Sequence, residues 1–416
     1  MTKNKHNIEI MAPVGSYASL QAAIQGGADA VYFGAGHLNM RSRSSFNFKP
    51  DDLETIVEQA QKHHINTYLT INTVLYNNDL QSMREMIQKA IEIGISAIIA
   101  SDMAAIIYAH QMGMKVHIST QLNISNIESL RFYAQFADVI VLARELTLEH
   151  IQRINQTIQK EQITGPSGQL IKIELFIHGA LCMAVSGKCY LSLHETNHSA
   201  NRGRCLQICR RSYIVKDKES GNELEMDNEY IMSPKDLSTI GFLNKILDAG
   251  VSVLKIEGRA RSPEYVKTVT RCYREAVEAY SQGDYTQDKI HRWQKQLSTV
   301  FNRGFWDGYY LGQKTGEWSH TYGSQATKRK IYVGKITNYF KKAGIAELYP
   351  EAETVKVHDE IMIIGPTTGV VQSTVPEIRV EDQHVRQASR NIKCSFPLPK
   401  LVRRQDKLYK LVETGG

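Results

Sequence analysis

The chain has 416 residues, 42% of them hydrophobic and 22% charged, with a formal net charge of +7. A sizeable core can be buried, and the length allows two or three domains or one large barrel with an appendage. The opening MTKNKHNIEI lacks the apolar run of a secretory signal, and no stretch approaches the roughly 18 uninterrupted apolar residues of a membrane span. The expected compartment is therefore the cytoplasm, and the mild basic excess permits a nucleic-acid partner without demanding one.

From Ile8 to about Gly258 short apolar runs alternate with amphipathic stretches. The runs read IEIMAP, AVYFGA, NTYLTIN, AIIAS, KVHIST, VIVLAR, IELFIH and SVLKIEG. Between them lie helical patterns such as SYASLQAAIQGG, PDDLETIVEQAQKHH and LQSMREMIQKAIEIG. Pro50 with Asp51 and Asp52 marks one helix start, and Gly94 closes another helix. Near-continuous apolar strands are those of a parallel sheet covered on both faces. Eight of them predict an α/β fold of the (β/α)₈, TIM-like barrel type. Polar residues follow the strands in turn: Asn72, Ser101 and Asp102, Arg144 and Glu145, His178, then Lys255, Glu257 and Arg259. A barrel of this kind builds its active site at the carboxyl ends of its strands.

Between the seventh and eighth strands the chain detours for about 75 residues, a length that in a compact barrel is usually functional. The detour carries four cysteines, then a hairpin pattern with Gly221 at its turn, then SPKDLSTIGFLNKILDAG as a capped helix. Two further helices follow, the first begun by Ser262 and Pro263 and the second near Gln287–Val300. From about Lys328 the pattern changes to short strands separated by turn residues, IYVGKITNYF, GIAELY, DEIMIIGP, VPEIRV, IKCSFPLP and KLYKLV. The expected division is a catalytic barrel over residues 1–325, with its cysteine-bearing insertion at about 180–232, and a small all-β barrel-like domain over 326–416.

Six cysteines in a reducing compartment argue against a disulfide framework. Cys272 and Cys394 stand alone in a helical and a strand-like pattern and read as packing residues. The other four, Cys182, Cys189, Cys205 and Cys209, are spaced Cys-x6-Cys-x15-Cys-x3-Cys. Four thiolates point to an iron–sulfur cluster or to zinc. Structural zinc favours close Cys-x2–4-Cys pairs, and only the second pair qualifies; unliganded thiols remain the third possibility. The nearby cations Lys188, Arg202, Arg204, Arg210 and Arg211 suit thiolate ligands or an anionic substrate, or else form a solvated basic face.

The stretch ELFIHGALCMAVSGKCYLS resembles the signature of the collagenase-like peptidase family, matched here by Glu174, Phe176, Gly179, Cys182, Gly187, Cys189 and Ser192. MAPVGSYASLQAAIQGGADAVYFGA, NRGRCLQICR, SPKDL, LKIEGR and NRGFWDGYY are similar to it as well. The resemblance implies a barrel-type catalytic domain followed by a small β-domain. Its characterised members include hydroxylases of a transfer-RNA wobble uridine and of a ribosomal-RNA cytidine. It also implies a four-iron four-sulfur cluster on Cys182, Cys189, Cys205 and Cys209, and prephenate as hydroxyl source. The expected function is thus an RNA hydroxylase forming 5-hydroxyuridine in transfer RNA. The overall length and NRGFWDGYY fit the transfer-RNA members, whereas NRGRC is closer to the ribosomal-RNA type.

Such an enzyme needs a cleft for a flipped-out base, a dianionic co-substrate and a redox centre. Arg41, Arg43, Arg144 and Arg259 are the candidate clamps for carboxylate or phosphate. His178, Asp236, Lys255 and Glu257 are the candidates for proton transfer. In the small domain Lys328, Arg329, Lys330, Lys341, Lys342, Arg403 and Arg404 are candidates for phosphate contacts to the RNA body. The competing class is a peptidase, because His194 to His198 spell His-Glu-x-x-His. That zinc-protease pattern needs both histidines on one helical face, and the polar flanks here predict a loop. A non-catalytic, cluster-bearing partner of another hydroxylase is a third class. Nothing in the sequence specifies an oligomeric state.

Overall fold

The computed structural model describes residues 8–42, 47–214, 230–312, 316–321 and 323–414. Arg43 and the hairpin expected around Gly221 lie outside the described residues. Up to Ile256 the chain forms β1 (Glu9–Pro13), β2 (Ala30–Phe33), β3 (Asn66–Ile71), β4 (Ala97–Ala100), β5 (Val116–Ile118), β6 (Val139–Val141), β7 (Lys172–Ala180), β8 (Asp236–Ser238) and β9 (Val253–Ile256). Strands β1 to β7 pair in sequence order, all parallel. Strand β9 then pairs in parallel with both β7 and β1 and closes the ring. The result is the expected TIM-like barrel of eight parallel strands.

Alternation along the strands sorts their side chains. One set faces the helices and joins the main core with residues such as Ile10, Phe33, Leu69 and Ile98. The other set faces inward, where Met11, Ala30, Tyr32, Tyr68, Ala97, Ile99, Val139 and Val253 form their own cluster. Local signals start and stop the helices as read. Ser16 caps Tyr17–Gly26 by accepting from the Ser19 amide, and Gly27 ends that helix in the left-handed region at φ 81°. Pro263 opens the long helix Pro263–Gln282.

Two features depart from the expectations. The stretch SPKDLSTIGFLNKILDAG is not one capped helix: its first part is β8, antiparallel to β7 with Asp236 opposite Ala180, and only Leu243–Asp248 is α-helical. Strand β10 (Phe305–Trp306) then joins β8 outside the barrel. The reason lies in β7, which runs on for nine residues and has a register shift between Phe176 and His178. Beyond that bulge β7 offers an edge to a new partner.

The remainder is all β. Strands β11 (Lys328–Phe340), β12 (Ile345–Pro350), β14 (Glu360–Gly365), β15 (Gly369–Thr374), β16 (Ile378–Val380), β17 (Gln383–Val385), β19 (Cys394–Pro397) and β20 (Lys407–Glu413) form one antiparallel sheet. Strands β13 (Val355–Lys356) and β18 (Gln387–Ala388) form a small second one. Strand β15 has no counterpart in the sequence reading; it hairpins back onto β14. This region has its own apolar core around Val333, Ile336, Leu348, Ile363 and Phe396. It rests on the barrel through the helix Tyr17–Gly26, where Gln25 bonds the backbone of Thr368 and Val370, and through Lys267 Nζ on the Val370 carbonyl. No helix among the described residues is long and apolar enough to cross a membrane.

Candidate active site

The loops beyond the carboxyl ends of the strands enclose a cavity of about 510 Å³. Its floor is the top of the barrel interior, with Tyr32 from β2, Thr70 from β3, Phe176 from β7 and Lys255 from β9. The cysteine-bearing segment forms its roof, and Cys182, Cys189, Cys205 and Cys209 all line it.

Backbone geometry holds that roof in place. Gly187 has φ 71°, and a Cβ there would stand 2.9 Å from Gln121 Cβ, so the Cys182–Cys189 loop sits directly on the loop after β5. Asn123 Nδ2 donates to the Ser186 carbonyl at 2.9 Å across the same contact. Gly203, at φ 82°, packs so closely on the loop after β2 that a Cβ would fall 2.2 Å from Ser42 Oγ. The Val74 amide donates to Asn201 O, and Arg210 ties the far end by donating to the carbonyls of Leu181 and Pro234, each at 2.6 Å. The short 3-10 turns at Ala200–Arg202 and Ile208–Arg210 thus present Cys205 and Cys209 toward the first cysteine pair.

None of the four thiols is in a disulfide; Cys182 and Cys205 are exposed, Cys189 and Cys209 half-buried. Burial pushes the Cys209 thiol up, Arg210 opposes this, and the charges of Cys182, Cys205 and Cys189 add to the rise. Among the described residues, no three His, Cys, Asp or Glu side chains converge on one ion-sized point. The fit to a metal group therefore rests on side-chain chemistry: four free thiols line one cavity, and thiolates are soft donors of the kind that iron–sulfur clusters and zinc take. Cys272 and Cys394 are buried in the two apolar cores.

Seven cations line the same cavity: Arg41, Arg144, Arg210, Lys255, Arg259, Arg261 and Arg303. Three carboxylates answer them. Arg41 Nη2 bonds Glu257 Oε1 at 3.0 Å. Lys255 Nζ lies 2.6 Å from Glu174 Oε1, and Glu174 Oε2 lies 3.4 Å from His117 Nδ1. Arg303 and Arg261 approach Asp236 at 3.3 and 3.6 Å. Arg259 is buried with no ion pair among the described residues, donating to Thr70 Oγ1 at 2.7 Å and Asn39 Oδ1 at 3.3 Å, and burial pushes it down to about 10 against the pull of Glu257. Arg144 lies 4.0 Å over the Phe176 ring and bonds the Ala180 carbonyl, while its buried Nε has no partner among the described residues. Such a surplus of positive charge in a partly desolvated cleft is a site for an anion.

The ionisation states follow from these contacts. Burial alone would raise Glu257, but Arg41, Arg261 and Arg144 outweigh it and hold the carboxyl below its usual range. Burial would likewise raise Glu174, and Lys255 and His117 outweigh it. Burial lowers Lys255, against the pull of Glu174.

Of the residues expected at the site, Arg41, Arg144, Arg259, Lys255, Glu257 and all four cysteines line the cavity. His178 and Asp236 do not. Alternation from Glu174 and Phe176 would aim His178 inward, but the bulge in β7 turns it away. It packs among Tyr265, Tyr273 and Phe305. Burial, with the nearby Arg261, pushes it down to about 3, so it is a neutral ring at ordinary pH. Asp236 stands behind the cavity as the counter-charge of Arg261 and Arg303. Sequence reasoning passed over Glu174 and His117 as site residues. The signal was present in IELFIH and KVHIST: an ionisable side chain inside a strand covered on both faces.

The His-Glu-x-x-His stretch is not a loop throughout. Leu191–Thr196 forms one short helix, but Asn197 ends it in the left-handed conformation at φ 55°. His198 falls beyond that cap, with Nδ1 2.6 Å from the Thr196 carbonyl, while Glu195 pairs with Arg211. The two histidines therefore do not share a helical face.

The model of peptidase family U32 matches residues 15–320. The chain belongs to peptidase family U32. This bears out the family resemblance carried by the cysteine signature. Among its U32 relatives, a protein named collagenase from Porphyromonas gingivalis (strain ATCC BAA-308 / W83) is 60% identical, the match covering 98% of each chain. The tRNA hydroxylation protein P1 of Bacillus subtilis (strain 168) is 31% identical over 92% of this chain and 89% of its own. The 23S rRNA 5-hydroxycytidine synthase of Escherichia coli (strain K12) is 34% identical over 76% of this chain and 47% of its own. The U32 family thus includes proteins named for RNA hydroxylation and proteins named as collagenases.

Proposed function

We propose that the protein is an RNA-modifying hydroxylase that forms 5-hydroxyuridine at the wobble position of transfer RNA, with prephenate as the hydroxyl source. One observation carries the reading: four free thiols and seven cations line the same cavity at the barrel mouth. Cys182, Cys189, Cys205 and Cys209 would hold a four-iron four-sulfur cluster, with zinc as the alternative occupant. Such a cluster supplies one-electron chemistry, or a polarising centre, beside the hydroxyl donor. Arg259, Arg144 and Arg41 bind the carboxylates of the co-substrate; among the described residues Arg259 and Arg144 are in no ion pair, whereas Arg41 is already engaged by Glu257. Lys255, on the cavity floor and paired with Glu174, and Glu257 are the groups that would hold or move a proton there. Transfer RNA is favoured over ribosomal RNA because the tRNA-named relative matches nearly end to end, whereas the rRNA-named one matches over about half its length. Lys341, Lys342, Arg403 and Arg404 of the β region are exposed and would contact RNA phosphates.

The second reading is a peptidase, favoured by the identity to collagenase-named relatives. The left-handed Asn197 inside His-Glu-x-x-His weighs against its zinc form; a thiol form would need a base beside Cys182, and His178, four residues upstream, is buried among rings and bonded to Tyr273.

Nucleoside mass spectrometry of transfer RNA from a deletion strain decides between them. The 5-hydroxyuridine signal is expected to vanish, to return with the intact gene, and to stay absent with Cys205→Ser. Anaerobically purified protein is expected to carry iron and sulfide that Cys205→Ser loses. An unchanged nucleoside profile, together with gelatin cleavage by the purified protein, would overturn the hydroxylase reading.

A further inference from the structure

A second cavity, of about 580 Å³, lies beside the first. The cysteine-bearing segment is the wall between them. Leu191, Ser192, Ala200, Asn201 and Cys205 face the thiol-lined cavity, while Leu193, Ser199, Arg202 and Arg204 face the other. The loops after β2 and β3 split the same way, Arg41 against Ser42 and Asn72 against Thr73. A ligand that fills one cavity and continues as a chain meets the other next.

The second cavity is furnished for a planar, anionic group. Asp79 takes two hydrogen bonds from Arg202, at 2.7 and 3.3 Å, and one from the Tyr76 amide at 2.7 Å. The Arg202 guanidinium stands 3.8 Å over the Tyr76 ring. The charge of Arg202 is thus already met, and its role is to stiffen the ring beneath it. Tyr76 is nevertheless 59% exposed although Arg202 covers one face of its ring, so aromatic surface remains open to solvent. Arg204, exposed on the same wall, makes no ion pair among the described residues and is free for an anion.

We propose that this cavity binds the nucleotide adjacent to the one being modified, its base stacked on Tyr76 and its phosphate on Arg204. The proposal rests on the RNA reading above. A target base that leaves its stack strips its neighbour of a partner. An aromatic platform beside the cavity restores that stacking, and does so for any base.

The test is the affinity of the full-length protein for labelled transfer RNA from the deletion strain, measured by fluorescence anisotropy over a salt series. Tyr76→Ala is expected to weaken binding about 5- to 150-fold, and Tyr76→Trp to keep it. Arg204→Ala is expected to weaken binding and to lower the salt slope by about one contact. Iron content and circular dichroism of each variant report whether the cysteine wall is intact. Wild-type affinity in a folded Tyr76→Ala protein overturns the proposal and leaves the RNA reading standing. Wild-type protein with no salt-dependent RNA affinity overturns the RNA reading, and this proposal with it. Loss of gelatin cleavage rather than RNA affinity in Tyr76→Ala would make the cavity a peptide site and also overturn it.

Discussion

The barrel mouth and the C-terminal β region treat charge in opposite ways. At the mouth Glu174, Lys255, Asp236, Arg259 and Arg303 are buried, and three of the pairs among these groups and their neighbours sit behind or within one cavity. In the β region Asp406 is the one buried charged residue among those described, and it is met by hydrogen bonds from Thr368 Oγ1 and the Arg403 amide rather than by a buried cation. Burying a charge costs several kcal/mol unless partners replace its water. A fold that needed only stability would build the mouth as it builds the β region. The difference marks where the molecule keeps charge for a ligand and where it keeps charge for solubility.

The sharpest way to break this contrast is to unpair a charge at the barrel centre. Glu174→Gln preserves shape but leaves Lys255, 4% exposed, without its counter-charge. The expected loss is about 3–5 kcal/mol of unfolding free energy, read by urea denaturation. A change below about 1 kcal/mol would mean that the interior is wet enough to solvate Lys255 alone, and the two regions would then differ less than their burial implies.

Much of this contrast was legible in the chain, and the illegible part has physical reasons. The eight apolar runs announce barrel strands because strands covered on both faces need no alternation. The clustered cysteines announce a shared environment by spacing alone. What stayed hidden depends on register. The bulge before His178 leaves no mark in IELFIH, yet it removes that ring from the cavity and frees an edge for β8. The Lys255–Glu174–His117 contact joins β9, β7 and β5 across the barrel interior, and no local pattern encodes which inward residues meet. Strand β15 hid in GVVQST, whose pairing with β14 comes from the turn at 366–368 rather than from its own weak pattern. Asn197 spoils the zinc motif through one backbone angle, which residue identity permits but does not dictate.

His178 sharpens the comparison through pH. Its ordinary value is 6.5, and its folded value is about 3, set by burial and by Arg261. Between those values the unfolded chain binds a proton that the folded chain refuses, so stability falls as pH drops from about 6.5 toward 3 and is unaffected by this group above that window. His178→Phe keeps a ring against Tyr265, Tyr273 and Phe305 and removes the titration. Its melting temperature is expected to decline less between pH 7 and pH 4 than that of the wild type. An identical decline would place the acid sensitivity in the paired carboxylates instead.

The smallest effect belongs to the β region. Lys328 Nζ lies 2.5 Å from Glu360 Oε2, as close as Lys255 is to Glu174, but the Glu360 side chain is 44% exposed and the Lys328 side chain 25%. Water already screens both ends, and holding two long side chains together consumes entropy, so the pair contributes only about 0–1 kcal/mol. Glu360→Gln is expected to shift unfolding by no more than that, and the shift should vanish at high salt. Two ion pairs of nearly equal length would then differ several-fold in effect because of the water around them, with Glu413, 3.7 Å from Lys328 Nζ, easing the loss of Glu360 further. A loss as large as that of Glu174→Gln, and one that salt does not diminish, would show that contact distance outweighs solvation and would remove the physical ground for reading the barrel mouth as the working end of the molecule.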